Sequence, residues 1–99
     1  MELDFARVLS RHVARISISV RDLGYITGLS KSKVNYLMTG KRVPHDDDLW
    51  VLAKAFDLRG TEAKVFWLAG FLSRSPPSIQ DHYRRHFRED WLQDFDIPK

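Results

Sequence analysis

The sequence of 99 residues contains no cysteine, which excludes both disulfides and thiolate metal sites and fits a reducing compartment. No apolar run approaches the roughly 18 residues of a membrane span. The longest run, residues 65–72, is short and interrupted by Gly70. A signal peptide is not supported either, and we therefore expect a cytoplasmic protein.

The sequence also lacks the usual features of an enzyme. Its five glycines fall at expected helix ends or within a helix, so no glycine loop that cradles phosphate is present. No serine nucleophile has a recognisable histidine partner. We expect no enzymatic activity and no cofactor.

Two short patterns invite a metal interpretation, which we consider weak in both cases. Asp46, Asp47 and Asp48 stand side by side, but on one helical turn their carboxylates splay around the axis, and they are better explained as helix initiators. His82 and His86 have a helical spacing that can bind zinc, yet no third ligand is indicated. We expect no metal site.

The net charge of +3 is small, but it is unevenly distributed. Residues 1–42 hold eight basic and three acidic side chains, residues 43–73 three and five, and residues 74–99 five of each. Positive charge is thus concentrated in the first part of the chain, as expected of a surface that meets an anion such as DNA.

The first helix is predicted over residues 3–16, with one apolar side and one basic side. The apolar positions are Leu3, Phe5 or Ala6, Leu9, Val13 and Ile16. Arg7, Arg11 and Arg15 recur every four residues on the other side, either as a solvated face or as contacts to flanking phosphates. Ser17-Ile18-Ser19 ends this helix, and Ser19 begins the next.

Residues 23–44, LGYITGLSKSKVNYLMTGKRVP, predict two short helices joined by a tight turn, with a basic loop behind the second. Gly28 is suited to the left-handed conformation that ends a helix, and Ser30 to the cap that starts one. Val34, Leu37 and Met38 are expected to face inward along the second helix. The outward residues, which are rich in hydrogen-bond donors, are Lys31, Ser32, Lys33, Asn35 and Tyr36.

This stretch resembles the helix-turn-helix of the phage Cro and repressor type, the XRE-like class of bacterial and phage transcription regulators. The matching positions are Leu23, Gly24, Gly28, Leu29, Ser30, Val34, Leu37, Gly40, Lys41 and Pro44. The chain departs from the family pattern at Val20, Thr27 and Thr39. The resemblance implies an all-α, five-helix DNA-binding domain that binds double-stranded DNA as a homodimer.

The resemblance also implies that the second helix of the motif, about residues 30–39, lies in the major groove of DNA. Residues whose side chains can read base edges are Lys31, Ser32, Lys33 and Asn35. Residues suited to hold phosphates are Arg21, Tyr36, Lys41 and Arg42. Tyr25 can be either a phosphate donor or a half-buried packing residue.

Two further helices complete the expected domain, residues 1–74. The fourth follows the aspartates, and the fifth is expected to begin with Thr61 as its cap. Aromatic side chains at helical spacing are expected to close the core: Trp50, Phe56, Phe66 and Trp67.

Residues 75–78 contain two consecutive prolines and predict a linker. Beyond it, an additional amphipathic helix is predicted over residues 79–96. Its aromatic face consists of Tyr83, Phe87, Trp91 and Phe95. This helix either folds back onto the domain or packs on a partner, usually a second copy. An alternative function is therefore that of an antitoxin or accessory factor that grips another protein through these aromatics.

Overall fold

The computed structural model describes residues 1–98, which contain seven helical segments. They are α1 (Phe5–Ile16), α2 (Val20–Thr27), α3 (Lys31–Thr39), α4 (Asp46–Ala55), α5 (Gly60–Ser73), α6 (Pro77–His86) and a C-terminal 3₁₀ helix (Glu89–Asp94). Residues 1–98 contain no strand, and the predicted all-α class is confirmed. None of these helices is both long and apolar enough to cross a membrane.

Side-chain caps fix where the first three helices begin. The side chains of Asp4, Ser19 and Ser30 each accept a hydrogen bond from the backbone N–H three residues on, at 3.3, 3.0 and 3.0 Å. Such caps satisfy backbone donors that a helix leaves unpaired at its start, and each typically contributes about 1 kcal/mol. The predicted starts at Ser19 and Ser30 are confirmed.

The main core is built from one side of each of α1 to α5. Contacts of α1 with α3 and α5 bring the apolar face of α1 into the centre of the molecule. The side chains that are completely buried there include Leu9, Leu23, Val34, Leu37, Leu49, Leu52 and Phe66. The inner sides of α2 and α3 pack on this core, and their outer sides are exposed to solvent.

Three expected core or cap positions differ from the prediction. Trp50 is 44% exposed, although its ring packs edge-on against Trp67 with 5.4 Å between centroids. Ile16 is likewise 37% exposed at the last turn of α1. The fifth helix begins at Gly60, after Arg59 in an extended conformation, so Thr61 is not its cap.

The predicted single helix over residues 79–96 is wrong. Pro77 already occupies the first turn of α6, a position where proline loses no helical hydrogen bond, so the linker is shorter than residues 75–78. At the other end α6 stops at His86, and Phe87 is extended (φ −59°, ψ 134°). A straight helix would carry the following apolar residues away from α5, whereas the break returns them to it.

Leu92 is the anchor of this returning segment. It is 5% exposed and joins Leu3, Leu68 and Leu72 in a second, smaller apolar cluster. The Lys64 ammonium on α5 donates to the Leu92 carbonyl oxygen at 2.8 Å. The C-terminal segment therefore folds back onto its own domain.

Candidate nucleic-acid interface

The turn between α2 and α3 is set by local sequence. Gly28 ends α2 in the left-handed region (φ 77°), and its N–H donates to the Gly24 carbonyl oxygen at 2.9 Å. Glycine takes this conformation without the steric cost that a β-carbon brings. Two residues later Ser30 caps α3, so α2 and α3 are joined with almost no intervening chain.

Gly24 allows the two helices to approach closely. A β-carbon at this buried position would lie 2.8 Å from the Leu29 carbonyl oxygen, closer than such contacts normally occur. Because the neighbour is backbone, it cannot yield by changing a rotamer. Glycine at position 24 is thus required by the α2–α3 crossing.

Thr27 contributes hydrogen bonds to the same turn. Its hydroxyl donates to the Leu23 carbonyl oxygen at 2.7 Å and accepts from the Leu29 N–H at 3.3 Å. A larger apolar residue could not make these bonds. The threonine therefore stabilises the turn by hydrogen bonding.

The two sides of α3 are sharply different, as predicted. Val34 and Leu37 are completely buried, and Met38 is half-buried. The exposed positions on the other side include Lys31, Ser32, Asn35 and Tyr36. These four present ammonium, hydroxyl, amide and phenol groups to solvent from one short rigid helix.

Lys33 was expected on this outer side, and the structure places it elsewhere. Its ammonium lies 2.8 Å from Asp48 Oδ1, and its side chain is only 27% exposed. Asp48 is 3% exposed, and its other oxygen accepts from the His45 N–H at 2.9 Å, which closes the first turn of α4. Lys33 is thus held against α4 by this ion pair, whereas the sequence placed it among the outward residues.

The expected phosphate-binding residues surround α3. Arg21, on α2, and Lys41 and Arg42, in the loop after α3, are all exposed. Lys41 Nζ lies 5.9 Å from the centre of the Tyr36 ring, and the Arg42 N–H donates to the Tyr36 carbonyl oxygen at 3.2 Å. Within residues 1–98 none of these three basic side chains has a carboxylate within 4.0 Å, so their charge is open to an external anion.

The sequence leaves two roles open for Tyr25, a phosphate donor or a half-buried packing residue. It is 91% exposed and lines the same shallow groove at the α2–α3 junction as Arg21, Ser30 and Lys31. The helical period already indicates that Tyr25 is exposed. Leu23 and Gly24 face inward, and Tyr25 is rotated by about a further 100° around the helix axis. Tyr25 therefore adds an exposed phenol hydroxyl, a hydrogen-bond donor, to the candidate interface.

The arginine stripe of α1 has partners within the chain. Arg7 and Arg11 each lie 3.9 Å from a Glu2 carboxylate oxygen. An Arg15 nitrogen lies 3.3 Å from His12 Nδ1 and 3.5 Å from the Phe56 carbonyl oxygen. Arg7 and Arg11 nevertheless remain 75% and 70% exposed.

The predicted aromatic face does not lie along one helix. The rings of Tyr83, Phe87 and Trp91 contact one another, with centroids 5.6–6.5 Å apart, across the break after α6. Phe95 packs on Phe71 of α5 at 5.7 Å. All four side chains are half-buried within the chain itself.

His82 and His86 do lie side by side, with ring centroids 5.0 Å apart. Among residues 1–98, however, no group of three or more histidine, aspartate or glutamate side chains is arranged to hold a metal ion.

Comparison of the chain with protein-family models, with curated proteins and with solved structures finds no match.

Proposed function

We propose that residues 1–74 form a helix-turn-helix domain of the phage Cro and repressor type, and that the protein is a sequence-specific regulator of transcription that binds double-stranded DNA. The observation that carries this proposal is the construction of α3. Its inner residues Val34 and Leu37 are completely buried, while its outer side presents only hydrogen-bonding side chains. A helix mounted in this way can enter the major groove without disturbing the core beneath it.

The proposed base contacts come from the exposed outer side of α3. Lysine donates to the acceptors of guanine, asparagine pairs with both edge groups of adenine, and a serine hydroxyl can serve either. We assign these roles to Lys31, Asn35 and Ser32. Lys33 has a different proposed role, which is to position α3, because its ammonium is paired with Asp48.

The proposed phosphate contacts lie around the rim of the same surface. Arg21 and Tyr25 project from α2, and Lys41 and Arg42 follow α3. Tyr36 lies beneath Lys41 and can donate to a phosphate at the edge of the groove. These contacts would set the register of α3 on the duplex without reading sequence.

The test begins with selection of a preferred duplex from a random pool, followed by affinity measurements on the selected and on random DNA. Lys31→Ala and Asn35→Ala should each lose roughly 1–3 kcal/mol on the selected duplex and little on random DNA. Arg42→Ala should weaken both about equally. Arg59→Ala removes an arginine that is 3.1 Å from Asp57 in the α4–α5 connection, and serves as the control.

Two outcomes would count against the proposal. No binding to any duplex at about 50 mM salt, where phosphate contacts are strongest, would overturn it. Equal losses on selected and random DNA for Lys31→Ala and Asn35→Ala would move both residues from base to phosphate contacts.

We further propose that the protein acts as a homodimer, whose two α3 helices would then meet half-sites about 34–36 Å apart. Analytical ultracentrifugation with and without the selected duplex measures this directly. The alternative function, an antitoxin or accessory factor that grips a protein partner, has weaker support. Its expected docking face, Tyr83, Phe87, Trp91 and Phe95, is half-buried by contacts within the chain.

A further inference from the structure

A cleft of about 170 Å³ lies where the start of α1, the loop after α3 and the helix α6 meet. Leu37 and Leu72 contribute to its apolar lining, and Arg42, in the loop after α3, and Arg84, on α6, line it as well. One water molecule occupies about 30 Å³ of liquid, so the cleft has room for several waters or for one compact anion. Gly40 and Val43 line it too, which makes the cleft continuous with the basic loop behind α3.

Arg84 differs from the other arginines of the C-terminal segment. Arg85 is paired with Asp81 at 3.2 Å, and Arg88 with Asp90 at 3.3 Å. Arg84 has no carboxylate within 4.0 Å among residues 1–98, and its guanidinium donates to the side-chain oxygen of Gln80 at 3.4 Å. Its charge is thus uncompensated, like that of Arg42, which lines the same cleft.

One acidic side chain, Asp4, also lines the cleft. Its Oδ1 accepts from the Arg7 N–H at 3.3 Å and thereby caps α1. A capping carboxylate is stabilised by the partial positive charge at the helix start, so part of its field is already offset. Two guanidinium groups against one such carboxylate leave the cleft net positive.

Guanidinium groups are well matched to phosphate, because their planar donors can bind two oxygens of one phosphate group at once. We infer that Arg42 and Arg84 form an anion subsite that takes a backbone phosphate of DNA at the edge of the proposed interface. This inference rests on the proposed function. It gives α6 a direct part in binding, by extending the line of phosphate contacts beyond the loop after α3.

The inference is tested by the salt dependence of duplex binding for the wild type, Arg84→Ala and Arg85→Ala. Each phosphate contact contributes about −0.9 to the slope of the logarithm of affinity against the logarithm of salt concentration. Arg84→Ala should lower the steepness by about one contact and weaken selected and random duplexes alike, several-fold at about 0.1 M salt. Arg85→Ala, the next residue on the same helix and already paired with Asp81, should keep the wild-type slope.

A second arm separates DNA phosphate from a free anion. Inorganic phosphate is titrated into wild type and Arg84→Ala, and the melting temperature of each is followed. Stabilisation that Arg84→Ala removes, combined with an unchanged DNA slope, would overturn the DNA assignment of the cleft.

The failure of this inference is distinguishable from failure of the proposed function. If wild type binds duplex with a steep slope and Arg84→Ala retains that slope, the subsite is overturned while the regulator proposal stands. If wild type binds no duplex, the proposed function is overturned and the DNA subsite with it. Circular dichroism melting of both variants checks that each is folded, which we expect because both arginines are exposed.

Discussion

Lys33 Nζ lies 2.8 Å from Asp48 Oδ1, and this ion pair ties α3 to the first turn of α4. Asp48 is almost fully buried, while Lys33 retains about a quarter of its exposure. The pair therefore restrains the position of α3 relative to α4. The helical pattern places Lys33 among the outward residues of α3, whereas its ammonium is paired with a buried carboxylate of α4.

Replacing Lys33 by methionine should lower the stability of the protein. Removing one partner of a buried ion pair leaves an uncompensated charge and typically costs about 3–5 kcal/mol. Since Lys33 is partly exposed, we expect a smaller loss of about 1–3 kcal/mol in urea unfolding. The double variant Lys33→Met/Asp48→Asn should lose less than the two single variants together, because the asparagine oxygen still accepts from His45 and no charge remains buried.

Lys31→Met is the matched control for this experiment. Lys31 is exposed, two residues earlier on the same helix, and a surface substitution there should change stability by no more than about 0.5 kcal/mol. Equal stability losses for Lys31→Met and Lys33→Met would contradict the role of the pair.

Gly24→Ala should destabilise the protein although alanine is the better helix former. The gain in helix propensity is about 1 kcal/mol, whereas forcing a side chain into a filled site costs about 1–3 kcal/mol, and here the obstacle is the Leu29 carbonyl. We expect a lower melting temperature and weaker duplex binding. Gly28→Asn provides the comparison, because position 28 has open space and asparagine tolerates its left-handed conformation. A Gly24→Ala protein as stable as wild type would mean that α2 and α3 cross at a larger distance.

His12 should make stability depend on pH. Burial lowers the pKa of its imidazole, the neighbouring Arg15 charge lowers it further, and Glu62 partly opposes them. The ring packs on Phe56 and Phe66, with centroids 5.4 and 5.9 Å away. Above about pH 6.5 the histidine is neutral in both the folded and the unfolded chain, and its contribution to stability is fully present. As the pH falls through about 6.5 toward the lower pKa of the folded state, the unfolded chain binds the proton first and stability declines.

The measurement is the free energy of unfolding in urea between about pH 5 and 7.5 for wild type and His12→Phe. Phenylalanine keeps an aromatic ring between Phe56 and Phe66 but cannot titrate. The variant should therefore show a flatter profile over this window. Parallel profiles for the two proteins would show that His12 is not the source of the decline.

Leu92→Ala should weaken the attachment of the C-terminal segment. A buried leucine replaced by alanine typically costs about 2–5 kcal/mol, and we expect the lower end because the cluster around Leu92 is small. Gln93→Ala, at an exposed neighbouring position, should leave the melting temperature unchanged. An unchanged melting temperature for Leu92→Ala together with altered sedimentation would place this side chain in a contact between molecules instead.

The sequence predicts correctly those helix ends and helix faces that local interactions determine. The C-terminal end of α2 and the start of α3 follow from Gly28 and Ser30, whose hydrogen-bond partners lie within four residues. The inward side of α3 follows from the spacing of Val34 and Leu37. These features need no knowledge of the rest of the fold.

The sequence alone does not predict the orientation of a side chain whose contact partner is distant in the chain. Lys33 lies at the edge of the apolar stripe of α3, and only the position of Asp48, fifteen residues later, decides its orientation. The four-residue recurrence from Tyr83 to Phe95 is typical of one helix. It could not show that breaking the helix after His86 lets Leu92 reach Leu3 and Leu72.

Because the protein has two separate apolar clusters, its C-terminal segment and its main core differ in the free energy needed to open them. Within residues 77–98, Leu92 is the one fully buried member of the smaller cluster, and the half-buried rings of Tyr83, Phe87 and Phe95 pack against it, while α6 itself contains no fully buried residue. Opening of α6 and the 3₁₀ helix therefore exposes Leu3, Leu68 and Leu72 but leaves most of the main core intact, so it requires less free energy than global unfolding. In native-state hydrogen exchange we expect the amides of α6 to exchange well before those of α3 and α5.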